Sequence, residues 1–170
     1  GNKIAGIDIE TAQLIADEMG KTLVVEHMDF DAVVTAVQTI DKYDIGMAAL
    51  TISEDRKQMV NFTKPYFDTP QVVVVKADDT TFDACTDKDA MLQKLASLSG
   101  AAARCGGQAG TTGQQFVKGN EALEFAGFAN LDFSGYDSPA LAVQSMLDGN
   151  ISFIIVDKAV AQTLLKNVNK

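Results

Sequence analysis

Tryptophan is absent from this 170-residue sequence, histidine occurs once, cysteine twice and proline three times. A single His27 excludes metal sites built from several imidazoles. Cys85 and Cys105 stand too far apart for a zinc or thioredoxin-type motif, which leaves one disulfide or two free thiols. Basic residues are also scarce: 14 Lys and Arg against 23 Asp and Glu, for a net charge of −9. That balance argues against nucleic acid and acidic membrane surfaces as partners. No apolar run approaches the roughly 20 residues of a membrane span. The sequence has no Gly-x-Ser-x-Gly elbow, no Gly-Lys-Ser/Thr phosphate loop and no nucleophile motif tied to His27. Catalysis therefore finds little equipment, and no metal or cofactor is implied. The chain opens on Gly1 without a leader, as processed or trimmed material would.

What is present is a core-forming pattern. Hydrophobic residues make up 46% of the chain, enough for one sizeable domain or two small lobes. Apolar spacing predicts helices over 6–20 (stripe Ile9, Leu14, Ile15, Met19, capped at Asp8 or a neighbour) and 30–39 (Val33, Val34, Val37, Ile40). Further helices are expected over 89–98, 114–118, from Ser138-Pro139 to Gly149, and over 158–166. Strands are expected over 22–28, 44–49, 60–63, 71–76, 125–133 and 151–156, with a weak one over 101–108. Val72–Val75 suits a central or crossover strand. Helix and strand alternate, so the class is α/β with largely parallel sheets. The polar, turn-rich stretch 78–89 reads as a boundary between lobes.

Three local groupings carry chemistry. Leu50-Thr-Ile-Ser-Glu-Asp-Arg56 gathers hydroxyls, backbone amides and one guanidinium, whose planar fork matches a carboxylate. The same residues also read as a plain helix start capped by Ser53, with Arg56 a solvated charge. Gly110-Thr-Thr-Gly113 fits an anion-holding turn or simply a capped one. Asp157, directly after Phe153-Ile-Ile-Val156, suits a ligand ammonium or the cap of the last helix. Phe30 fits a pocket wall or a hydrophobic staple.

Taken together, these stretches resemble the polar amino-acid family of extracellular (periplasmic) solute-binding proteins of ABC transporters. The residues that carry the resemblance are Gly6-Ile-Asp-Ile-Glu10, Phe30 to Val37, Tyr43 to Arg56, Val60 to Tyr66, Gly107 to Gly113, Ala140 to Gly149 and Ile154-Ile-Val-Asp157. The resemblance implies a two-lobed periplasmic-binding-protein-like (type II) α/β architecture closing on an amino acid. Lobe 1 would span 1–70 and lobe 2 71–170. It implies Arg56 as the α-carboxylate fork, with Thr51 assisting and Leu50 beside it. Ala49 would meet the α-ammonium through its backbone, since the family often has Ser or Gly there, and Asp157 would be the ammonium's counter-charge. Thr112, with Gly113, would contact the carboxylate from lobe 2, with Thr111 a further ligand-binding residue beside them, while Phe30 and Gln108 would meet the ligand side chain. The physics agrees, because a zwitterion needs one cation and one anion, and burying either alone costs several kcal/mol.

The resemblance also implies delivery to an ABC transporter permease, and a periplasmic or extracellular location, lipid-anchored at the cell surface in a Gram-positive organism. Family members carry a central strand and an aromatic-bearing loop before the Gly6 motif, and return to lobe 1 after the last helix seen here. Lobe 1 is therefore expected to be incomplete, and to be completed by a second copy in a swapped or paired homodimer, or rearranged. Two other readings use the same fold: an amino-acid sensor domain of a receptor, and a cyclohexadienyl dehydratase-like enzyme needing a general acid in the cleft.

Overall fold

The computed structural model describes residues 4–121 and 124–168. The chain divides into two compact units, Gly1–Phe67 and Asp68–Lys170. The polar stretch 78–89, expected to be a boundary, lies within the second unit.

The second unit holds the sheet. Strands β1 (Gln71–Val74), β2 (Arg104–Gln108), β3 (Asp132–Tyr136) and β4 (Phe153–Asp157) lie in the order β1-β4-β2-β3. β2 runs parallel to both β3 and β4, while β1 runs antiparallel to β4. The apolar run 72–75, expected as a central or crossover strand, supplies residues 72–74 to the edge strand β1. The interior strands are β4 and β2, and β2, Arg-Cys-Gly-Gly-Gln, is the weakest strand in the sequence. Its glycines are required by close neighbours: a Cβ on Gly106 would come within 2.8 Å of Ile151, the Ser134 carbonyl and the Tyr136 ring. Propensity yields here to packing.

Alternation along β4 sends Phe153 and Ile155 into one core, with Leu95, Leu98, Ala103, Cys105 and Val117. It sends Ile154 into another, with Ala142, Val143, Met146 and Ile151. The first core is covered by α4 (Lys88–Ser97) and α5 (Thr112–Lys118), the second by α6 (Pro139–Leu147) and α7 (Lys158–Val168). Caps follow the sequence: the Asp87 side chain accepts from the Ala90 amide and Ser138 from the Leu141 amide. Cys105 is buried, Cys85 is partly buried, and both are free thiols.

The first unit is built differently. It contains α1 (Ile7–Glu18), α2 (Ala32–Thr39) and the short α3 (Glu54–Lys57). The segments 22–28, 44–49 and 60–63, expected as strands, form no ladder among the described residues. A strand is stable only with a hydrogen-bonded neighbour, and none of the three pairs with another. The α1 stripe is also corrected: Ala12 and Ala16 are its buried residues, while Leu14 and Met19 face outward, Leu14 being 70% exposed. Gly6, not Asp8, sits at the α1 N-cap position. α2 buries Val33 and Val34 as expected, but Ile40 is exposed.

Candidate functional site

The first unit assembles its share around Arg56. Residues 53–57 form one helical turn, and Arg56 is only 7% exposed although it is the chain's most strongly basic type of side chain. Its Nη1 donates to the Thr51 carbonyl at 2.9 Å, and its guanidinium carbon lies 5.6 Å from the centre of the Phe30 ring. The ring holds the cation by its face while the carbonyl fixes the fork's rotation. Burial lowers the Arg56 pKa and the neighbouring Asp55 opposes that shift; an arginine stays charged regardless. The Thr51 group engaged is the backbone carbonyl rather than the hydroxyl. Ser53 occupies the N-cap position of α3, yet its hydroxyl makes no cap and is buried without a partner among the described residues.

Leu50, half-buried, separates this group from a second one. Ala49 has a left-handed backbone, φ +49°, which costs a non-glycine residue energy unless its surroundings enforce it. The enforcement comes from Asp8. Its Oδ2 accepts the Ala49 amide at 2.7 Å and its Oδ1 accepts the Tyr66 hydroxyl at 2.7 Å. Asp8 and Tyr66 lie in the resemblance-bearing stretches 6–10 and 60–66, but neither is among the site residues expected from the sequence. In the sequence Asp8 reads as a helix cap, two residues after Gly6.

The second unit brings together a different trio. Antiparallel pairing sets Gln71 directly opposite Asp157, so their side chains share a face. The Gln71 amide nitrogen donates to the Asp157 carboxylate and, at 3.1 Å, to the Thr112 hydroxyl. Thr112 reaches this point because α5 packs tightly on β4. A Cβ on Gly113 would lie 2.9 Å from the Ile155 carbonyl, so only glycine allows the approach. Asp157 ends β4 and Gln108 ends β2, the C-terminal edge where parallel α/β sheets hold ligands. Burial raises the Asp157 pKa and the Gln71 hydrogen bond opposes it by favouring the carboxylate. Gln108 and Thr111 are tied locally: the Gln108 amide donates to the Asp137 carbonyl at 3.0 Å, and the Thr111 hydroxyl to the Gln108 carbonyl at 2.7 Å.

The structure thus joins Phe30, Thr51 and Arg56 within one unit, and Thr112, Gly113 and Asp157 within the other. Gln71 is the member that the sequence did not announce, because it reads as the polar start of an apolar strand. Among the described residues no group of three or more His, Cys, Asp or Glu could hold a metal. No helix among them is long and apolar enough to cross a membrane.

All 170 positions, residues 1–170, match the family model of the bacterial extracellular solute-binding proteins, family 3. The ABC transporter arginine-binding protein 1 of Escherichia coli (strain K12) is 26% identical over 97% of this chain and 59% of its own length. A solved ancestral arginine-binding protein bound to arginine is 31% identical, with a TM-score of 0.75, over 97% of this chain and 65% of that one. An ancestral amino acid-binding protein, a precursor of cyclohexadienyl dehydratase, is 27% identical with a TM-score of 0.79, over 98% and 66%. The chain spans about three fifths of the length of the curated relatives it matches. Those solved neighbours share the α/β fold class expected from the sequence.

Proposed function

The chain belongs to the bacterial extracellular solute-binding proteins, family 3, and from that premise we propose that it captures a polar or charged amino acid for uptake by an ABC transporter. The observation that carries the proposal is Arg56, a guanidinium withdrawn from solvent, lying over the Phe30 ring and oriented by the Thr51 carbonyl. Such a fork binds an α-carboxylate bidentately. Asp157, with Thr112 beside it, supplies the opposite charge for the α-ammonium. Each unit carries the group that one end of a zwitterion requires. Ala49 offers its backbone, Leu50 and Phe30 apolar surface, and Gln108, Thr111 and Gly113 the rim of the second half.

Arginine is the first ligand to test, because relatives named for arginine binding match nearly the whole chain. A net charge of −9 also draws cations toward the molecule. The place of work is outside the cytoplasmic membrane, in a periplasm or on a cell surface, in contact with a permease. Two copies pair through their first units, whose outward Leu14, Met19 and Val24 offer apolar surface. Light scattering that gives a monomer would remove that pairing.

A thermal-shift screen of the full chain against the twenty amino acids tests the main reading. A ligand at a hundredfold excess over its Kd should raise Tm by roughly 5–10 °C. Arg56→Ala should abolish the rise. A rise that survives Arg56→Ala would sink the carboxylate role, and no rise with any amino acid would sink amino-acid capture. Turnover of prephenate or arogenate would instead make the chain an enzyme.

A further inference from the structure

We propose that Gln71 is a positioning residue, whose side-chain amide fixes the Asp157 carboxylate and the Thr112 hydroxyl in one arrangement ready for an ammonium group. The inference deepens the proposed function and rests on it for the identity of the ligand, but not for the contact itself.

A primary amide has two N–H donors. Gln71 directs its nitrogen at two acceptors from two other elements, Thr112 at the start of α5 and Asp157 at the end of β4. Gln71 is itself solvent-exposed, so ordering its side chain costs rotamer entropy. A bond to a charged carboxylate is the kind strong enough to offset that cost. The ladder sets the reach, since Gln71 and Asp157 are register partners on adjacent strands. The far side of the amide is also bounded: a Cβ on Gly113 would stand 3.3 Å from the Gln71 carbonyl oxygen. That oxygen therefore packs against the bare glycine while the nitrogen faces the two acceptors.

The consequence lies in which carboxylate oxygen is engaged. Gln71 occupies Oδ1, which leaves Oδ2 to meet an ammonium, and rotation of the carboxylate would break the Gln71 bond. Burial disfavours the charged form of Asp157, and the Gln71 bond opposes that shift in part. Lys158, next in sequence, is exposed and uses its backbone N–H on the Pro70 carbonyl. Gln71 is thus the group that orients the Asp157 carboxylate and favours its charged form.

The experiment follows the Asp157 carboxyl carbon by NMR through a pH titration of the ligand-free full chain, in wild type, Gln71→Met and Gln71→Glu. Methionine keeps the length and removes the donors, and glutamate sets a like charge against Asp157. Both should move the Asp157 midpoint upward, Gln71→Glu further. In parallel, calorimetry with L-arginine should show Gln71→Met weakening binding about tenfold, with the loss on acidification beginning at higher pH than in wild type. A midpoint unmoved in both variants would overturn the proposal. So would unchanged affinity in Gln71→Met. If wild type binds no amino acid, the capture reading falls, while the titration still decides whether Gln71 holds Asp157.

Discussion

The two units solve the problem of holding a binding side chain in place by different means. In the second unit the scaffold does it. Phe153, Leu95, Ile154 and Met146 are buried on the two faces of a four-stranded sheet, and register alone sets Gln71 against Asp157. Among the described residues of the first unit the buried apolar ones are alanines and valines, Ala12, Ala16, Val33, Val34 and Ala36, each still 8% exposed. Several of its apolar side chains, Leu14, Met19 and Val24 among them, face outward, and larger ones such as Phe30 and Phe62 are only half-buried. There, polar contacts locate the functional groups: Asp8 holds Ala49, and the Thr51 carbonyl with Phe30 holds Arg56. A site can therefore be specified by a core or by a few directed bonds, and the two should fail in different ways.

The sharpest way to break this comparison is amide hydrogen exchange. Amides of the ladder, Cys105 to Gln108 and Ile154 to Val156, open only with the unit's core. Those of 22–28 have no ladder to break. Protection should differ by about a thousandfold or more, since core opening costs most of a global stability of about 5–15 kcal/mol. Equal protection would mean that the first unit is as firmly held as the second.

A smaller effect comes from cutting each core once. Phe153 is 1% exposed and meets Phe82 edge to face at 5.4 Å. Phe153→Ala should cost about 3–5 kcal/mol in urea unfolding of the second unit. Val34→Ala in the first unit removes far less volume and should cost about 1 kcal/mol. Similar costs for the two would show that burial does not separate the units.

The same contrast explains what could be read from the sequence. Helices carried by buried apolar spacing, such as α6 with its Ser138 cap, and strand β4 with its unbroken Phe-Ile-Ile-Val, were legible because local pattern and tertiary burial agree. β2 was faint because its position needs glycine, and that need lies in Ile151, Ser134 and Tyr136, far away in sequence. β3 was placed too early: its segment was expected over 125–133 but the strand is Asp132–Tyr136. Polar residues Asp132 and Ser134 can occupy it because the edge position leaves them partly exposed. In the first unit the alternating pattern of 22–28 suits a strand, yet periodicity cannot supply a partner. For the candidate site, Arg56, Thr112 and Asp157 stood out by residue type and neighbours. Gln71 and Asp8 did not, since each acts through a contact 41 or more residues away.

The finest test concerns the first unit's reliance on directed bonds, and it uses Tyr66. The phenol donates to Asp8, and burial together with that carboxylate pushes its pKa up to about 12. Both causes favour the neutral phenol, so the folded chain keeps a proton that the unfolded chain releases near pH 10. The resulting stabilisation is complete below pH 10 and disappears as pH rises through about 12. Tyr66 is half-exposed, so solvent screens part of the effect. Tyr66→Phe should cost about 1 kcal/mol or less at pH 8, and should flatten the loss of stability between pH 10 and 12 seen in wild type. Because Asp8 also holds Ala49 in its left-handed turn, amide exchange at Ala49 should quicken in the variant while that of Ile155 stays unchanged. If the variant and wild type lose stability in parallel through that interval, Tyr66 does not hold Asp8 in solution. The Asp8 carboxylate would then hold the turn at Ala49 without help from the phenol.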